Sequence, residues 1–356
     1  MTLFDTTRAL KKFIPRSQLI VQQTEVLKPI CKVIDAHNHL GQAFGGGWSE
    51  RDVRELLDIL DEANVDVYVD LDGGWDETIL DQRLEKYKNV APDRFCFFGS
   101  PGWKNWRSDG DAFGERSARR LRDQVRRGAQ GLKIWKDFGL SVRDHQGSLV
   151  AIDDQRLIPL WETAGELSIP VMIHIADPVA FFDPLNFENE RLEELDVHRD
   201  WHFPAPQYPK FSELIGQFEA LVARHKNTNF IGAHVGCYSE NLIWVSNLME
   251  RCSNFYVDIS ARISELGRQP YSSIKFFERH QDRILFGIDA GPDLAMYRIY
   301  WRFLETQDEY FDYSPTKTPT QGRWKIYGLG LRSEILQKIY FHNANKLLNL
   351  NRPVTF

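Results

Sequence analysis

The sequence predicts a closed parallel (β/α)8 barrel. Three observations carry that expectation. Eight short apolar runs, rich in β-branched and aromatic residues, alternate with stretches of helical length, the order that builds a parallel sheet with helices outside it. At 356 residues the chain is long enough to close one large barrel. Histidines and an aspartate follow several of the runs, at the strand ends where barrel active sites are built.

The runs cover residues 33–36, 65–69, 95–98, 131–135, 171–174, 230–234, 255–259 and 284–287. Helices are expected over 49–63, 76–88, 114–127, 157–167, 211–225, 238–250 and 270–280. Ser49, with Asp52 three residues on, and Ser212, shortly after Pro209, read as N-caps, because a side-chain oxygen there satisfies an orphan N–H of the first turn. Two connections exceed what a barrel needs: 176–210 after the fifth strand and 290–330 after the eighth, both carrying many aromatic residues. Loops of that length are lids or binding loops, or they pack against a neighbouring subunit, and loop statistics weigh these equally. Residues 1–30 are expected to form an N-terminal arm and 31–356 the barrel. The alternative, an open doubly wound sheet, usually carries a glycine-rich nucleotide loop after its first strand. Gly41 to Gly47 matches neither such fingerprint, and reads as a flexible loop over the end of the first strand.

Composition narrows the class. The chain is 42% hydrophobic and 13% aromatic, enough for a sizeable core, and its net charge of −6 gives no electrostatic case for nucleic acid as a partner. Four cysteines without a Cys-x-x-Cys pairing look like reduced thiols and not a disulfide frame. The N-terminus lacks the apolar core of a signal peptide, and no run approaches the roughly 18 apolar residues of a membrane helix. The expectation is a soluble cytoplasmic protein with a small-molecule substrate, no membrane partner, and a homo-oligomer left open.

The chemistry begins with Val33-Ile34-Asp35-Ala36-His37-Asn38-His39. Side chains alternate across a strand, so two histidines one residue apart share a face and can grip one ion together. Imidazole suits zinc and similar divalent ions, which take three or four such ligands and keep one position open in catalytic sites. Further groups follow downstream: His174 ends the fifth run, His234 the sixth, and Asp289 follows the eighth. Taken singly, a histidine ending an apolar strand is a hydrogen-bonded core residue and an aspartate after a strand is a turn or a cap. Five at matching strand ends make a set. Lys133 and Trp135 share one face of the fourth strand, near the mouth. Arg262 follows the seventh, where it clamps a substrate carboxylate bidentately or closes a loop salt bridge. Lys136 is expected to be solvated.

This ordered set resembles the metal-dependent amidohydrolase superfamily, in particular the amidohydrolase-related group that also contains aminocarboxymuconate semialdehyde decarboxylase. The resemblance spans roughly residues 31 to 350 and rests on Asp-Ala-His-Asn-His, the lone histidines of strands five and six, and Arg-Ile-Leu-Phe-Gly-Ile-Asp. The run Tyr340 to Leu348 looks like the family's C-terminal helix. The resemblance implies a single TIM-type barrel in which His37, His39, His174 and Asp289 contact one divalent metal ion, zinc or else manganese. His234 would be the acid/base residue, with Asp289 able to share proton transfer. In two-metal relatives a carboxylated lysine on strand four bridges the ions; here one metal and an uncarboxylated Lys133, free to meet a substrate anion beside Trp135 and Arg262, are expected.

The leading functional expectation is a hydrolase in which metal-activated water attacks the amide, ester or lactone carbonyl of a small molecule. The alternative is a metal-dependent, non-oxidative decarboxylase of a small aromatic or unsaturated carboxylic acid. A non-catalytic metal-binding protein would be expected to lack an acid/base residue such as His234.

Overall fold

The computed structural model describes residues 16–42, 46–176, 178–316 and 321–353. Eight parallel strands follow one another in chain order in one sheet. They are β1 Val33–Asn38, β2 Val65–Asp70, β3 Phe95–Gly99, β4 Gly131–Ile134, β5 Val171–Ile173, β6 Phe230–Gly232, β7 Phe255–Asp258 and β8 Ile284–Leu285. The backbone past β8 returns to β1: Ala36 N–H donates to the Phe286 carbonyl at 2.9 Å and Asp289 N–H to the His37 carbonyl at 2.8 Å. These bonds close the sheet, and the fold is a (β/α)8 TIM barrel.

Two apolar layers follow from the pleat. Ile34, Val67, Phe98, Met172, Ile231 and Leu285 fill the barrel, and Phe341, Ala344 and Leu347 plug it from below. The alternate residues, among them Val33, Tyr68, Phe97, Leu132, Ile134 and Phe230, pack outward against the helices. Removing such side chains from water stabilises the fold by about 1.5–3 kcal/mol for each large aliphatic or aromatic residue. The plug is the C-terminal run, where a π-helical turn, Lys338–His342, leads into the helix Asn343–Leu347.

The principal helices are α1 Val53–Glu62, α2 Glu77–Arg83, α3 Phe113–Arg127, α4 Ile158–Glu166, α5 Phe211–Arg224, α6 Leu242–Arg251, α7 Pro270–His280 and α8 Leu294–Glu305. Asp52, not Ser49, caps α1, its side chain accepting the Arg54 N–H at 2.9 Å, because Trp48–Glu50 form a separate short turn. Lys210, not Ser212, occupies the N-cap of α5, and Glu213 reaches back to the Lys210 N–H. The long connection after β8 is partly regular: Tyr297, Tyr300, Trp301 and Leu304 are the buried stripe of α8, at the three- and four-residue spacing of one helical face.

Residues 16–30 contain no helix or strand. They touch the barrel through Thr24, whose N–H and hydroxyl both donate to the Asp308 carboxylate at 2.6 and 2.7 Å. The first half of the expected arm, and the middle of the glycine-rich loop after β1, lie outside the described residues. All four cysteines are buried, and none forms a disulfide. Among the described residues no helix is long and apolar enough to cross a membrane.

Candidate active site and metal centre

Strict alternation along β1 would send His37 to the same side as Asp35, and Asp35 faces outward, its Oδ2 accepting the Tyr297 hydroxyl at 2.6 Å. The register resolves this. Asp35 pairs with Tyr68 and Asn38 with Asp70, so three steps along β1 match two along β2. The extra residue is a bulge that reverses the parity and turns His37 and His39 into the mouth. Gly287 makes room on the far side, since a Cβ there would stand 2.8 Å from the His37 Cβ.

The two histidines converge with Asp289. His39 Nε2 lies 2.9 Å and His37 Nε2 3.5 Å from Asp289 Oδ1. The other nitrogen of each ring is held from behind: His37 Nδ1–H donates to Asp258 Oδ2 at 3.0 Å and His39 Nδ1–H to Asp72 Oδ1 at 2.9 Å. Each carboxylate anchors the Nδ1 proton and so turns Nε2 toward the mouth, where it offers a lone pair when the ring is neutral. Asp258 is fully enclosed, its Oδ1 accepting the N–H groups of Ser260 at 2.9 Å and His234 at 3.2 Å as well as the Ser260 hydroxyl.

His234 faces this group from the turn Ala233–Gly236, just past β6. Its Nδ1–H donates to the Ser260 carbonyl at 2.9 Å, and its Nε2 lies 3.6 Å from Asp289 Oδ2. His174, just past β5, stands edge-on to His234 with ring centroids 4.5 Å apart. Lys133 is inside the barrel beneath them, its Nζ 3.4 Å from His37 Nε2. Backbone strain is concentrated here: His234 (φ 57°), Val235 (φ 60°), Ala261 (φ 51°) and Asp289 (φ 56°) are all in the left-handed region. Such conformations cost on the order of 1–3 kcal/mol each outside glycine, and persist where a site demands them.

The electrostatics follow from burial and neighbours. Burial drives His37 below its ordinary value, with the Lys133 ammonium adding to the effect. Burial works against the charged form of His39 too, but the Asp289 and Asp72 carboxylates outweigh it and raise the ring to about 9. Burial opposes the ionised form of Asp289, yet the surrounding imidazoles hold it well below the usual carboxylate range. His234 is pushed well below its ordinary value by burial, with His174 and Arg262 adding to it. Lys133 is lowered by burial to about 8.

A cavity of about 230 Å³ opens above this cluster. Trp135 forms part of its wall, stacked on His39 with centroids 5.0 Å apart, and Phe181 and Trp201 from the loop after β5 face it. Arg262, Lys136 and Arg191 also line it. Lys136 is therefore not simply solvated, because the loop after β5 folds over the mouth and brings Trp201 to 4.8 Å from its Nζ. That loop is latched by ion pairs, from Arg191 to Glu265 and Glu194 and from Arg323 to Glu193. The structure thus gathers His37, His39, His174, His234 and Asp289 at one mouth, with Trp135 and Arg262 on its walls and Lys133 below. The sequence reading missed Asp72, Asp258 and Ser260. A signal existed for Asp258, the last residue of an apolar strand in a chain whose other strand ends carry site groups.

The ligand atoms of His37, His39 and Asp289 lie within 4.8 Å of one another, as do those of His37, His234 and Asp258. Two imidazoles, each braced from behind by a carboxylate, together with the Asp289 carboxylate, fit a divalent cation.

A profile of the family described as Amidohydrolase matches residues 34–350. The chain belongs to the amidohydrolase family. No curated protein matches it. Among solved structures, this amidohydrolase-family chain is similar to a dihydroxybenzoic acid decarboxylase from Polaromonas sp. JS666, solved with bound manganese and the inhibitor 2-nitroresorcinol. The TM-score is 0.55 at 16% identity over 91% of this chain and 98% of that one. It is similar to a 2,6-dihydroxybenzoate decarboxylase from Rhizobium, with TM-score 0.55 at 17% identity over 91% and 100%. An uncharacterized TIM-barrel protein from Bordetella bronchiseptica gives 0.53 at 14% identity over 90% and 99%. At these identities the likeness is one of fold.

Proposed function

We propose that this amidohydrolase-family enzyme removes carbon dioxide, without a redox step, from a small aromatic or unsaturated carboxylic acid. The observation that carries this reading is the cavity. It sets flat rings (Trp135, Trp201 and Phe181) and cations (Arg262 and Lys136) directly above the histidine–aspartate cluster. A planar anion suits such a slot, since rings stack on its faces and a guanidinium matches a carboxylate. The decarboxylases of the same fold, one of them holding manganese, support it.

His37, His39 and Asp289, with His174 beside them, would hold one divalent ion, zinc or manganese. When bound, the ion supplies positive charge that orients and polarises the oxygens of the acid. The remaining work belongs to side chains. Decarboxylation breaks the bond from the ring carbon to the carboxylate carbon and forms a C–H bond in its place, so the site must deliver one proton. His234 Nδ1–H is committed to the Ser260 carbonyl, which leaves Nε2, 3.6 Å from Asp289 Oδ2, as the nitrogen that exchanges a proton with the cavity. Trp135 and Trp201 exclude water from that exchange, and Arg262 holds the anion in place.

Hydrolysis of an amide, ester or lactone is the second reading. Burial keeps His234 neutral, which suits a base acting on water as well as it suits a proton relay. Metal-loaded protein incubated with hydroxybenzoates, unsaturated acids, lactones and amides, followed by mass spectrometry, separates the two. Decarboxylation predicts loss of carbon dioxide from an acid. Gain of water by a lactone or amide, with every acid returned intact, overturns it.

A further inference from the structure

We propose that Trp75 sets the upper size limit of the substrate, as the removable wall between the catalytic cavity and a second cavity behind it. The proposal rests on the reading of the site as one for a flat aromatic ligand.

Trp75 follows the turn Asp72–Gly74 and stacks on Trp135 with ring centroids 4.0 Å apart and planes 16° from parallel. Trp135 stacks in turn on His39. The two indoles line the catalytic cavity and also line an adjoining cavity of about 210 Å³, whose other walls include Ser100, Trp103 and Asp137. The two rings differ in how they are held. Trp135 lies between two other rings and is 7% exposed, whereas Trp75 is 47% exposed. The backbone beneath them has little freedom. A Cβ on Gly74 would stand 2.6 Å from the Lys133 Cβ and 2.8 Å from Trp135 Nε1, so the turn lies flush against β4 and its neighbour.

Three consequences follow. Trp135 cannot be cut back without disturbing the stack on His39 and hence the metal cluster. Trp75 can, because its ring stands at the outer end of the stack. Its removal would join two spaces of about 230 and 210 Å³ into one elongated slot that extends from the catalytic cluster past Trp135. A single ring fits the first space alone. Two rings joined end to end, which need about 250 Å³ at the packing density of a protein interior, exceed it and need both.

The test uses metal-loaded protein and four probes: 2-hydroxybenzoate, phenol, 2-hydroxy-5-phenylbenzoate and 4-phenylphenol. Affinities are measured by calorimetry for the wild type, Trp75→Ala and Trp75→Phe, with Trp75→Leu as the milder truncation if the alanine variant unfolds. The readout is the ratio of two-ring to one-ring affinity within the acids and within the neutral phenols. Truncation is expected to raise that ratio at least tenfold in both series, and Trp75→Phe to leave it within threefold of the wild type. An unchanged ratio in a folded truncation variant overturns the size-limit proposal. The flat-acid reading fails on a different comparison, if the acids bind the wild type no more tightly than the matching neutral phenols.

Discussion

Asp258→Asn changes one oxygen to an amide nitrogen and should disable the metal centre from behind. The carboxylate serves two sides. Oδ1 receives three donors, from Ser260 N–H at 2.9 Å, His234 N–H at 3.2 Å and the Ser260 hydroxyl, and Oδ2 receives one, from His37 Nδ1–H at 3.0 Å. Asparagine has a single oxygen. Placing its NH2 toward the three donors would leave two buried backbone N–H groups facing a third donor, at about 1–3 kcal/mol for each group left unsatisfied. The amide therefore turns its oxygen to that side and its NH2 to His37. Nδ1 must then accept, the proton moves to Nε2, and the lone pair that pointed at the metal site is lost. Substitutions behind a metal ligand cost about 10- to 100-fold in affinity, or about 1.4–2.7 kcal/mol. Competitive titration of zinc and of manganese against a fluorescent chelator measures this directly, with far-ultraviolet circular dichroism confirming the fold. An Asp258→Asn protein that folds and binds both ions within twofold of the wild type would refute the tautomer argument.

Two further predictions concern proton handling. His234→Asn should keep its metal, since His37, His39, His174 and Asp289 remain, and should lose about 10²- to 10⁴-fold in turnover. His174→Ala should lose metal first and activity as a consequence; elemental analysis and turnover side by side check both, and loss of metal from His234→Asn would make that residue a ligand. Stability should fall in mild acid because His225 and His280 are buried with an unpartnered Nε2 and are each lowered by burial to about 4. Between the unfolded value near 6.5 and about 4 the unfolded chain binds protons that the folded one does not, so stability is lost as pH falls through that window, by about 1–3 kcal/mol per residue. Melting temperatures measured from pH 7.5 down to 5 should decline, and replacing both residues by glutamine should flatten the decline; a wild-type curve already flat there contradicts the assignment.

Much of the barrel was legible because each strand is a short apolar run of its own, and the pairing of neighbours in chain order follows from the alternation with helices. The gathering of His37, His39, His174, His234 and Asp289 was legible for the same reason, since a closed barrel brings all strand ends to one mouth. The bulge in β1 was not. It exists only in the register between β1 and β2, and without it the strict alternation that groups His37 with His39 also groups both with the outward-facing Asp35. The roles of Asp72 and Asp258 are not legible in the sequence, because they act on histidines 33 and 221 residues away and only closure of the barrel brings them together. The helix α8 is legible in the spacing of Tyr297, Tyr300, Trp301 and Leu304, although the same aromatic residues also suit a binding loop. Lys136 depends on how the loop after β5 folds, and no local pattern encodes that.

The central claim is that the ends of β1 and β8 hold one catalytic divalent ion. The measurement that tests it most directly is metal content per chain after loading with zinc or manganese and gel filtration, for the wild type, His37→Ala and His39→Ala. The account predicts one ion per wild-type chain and most of it missing from each variant, with the fold retained. Full occupancy in both variants, or a wild-type chain that takes up no ion, contradicts it.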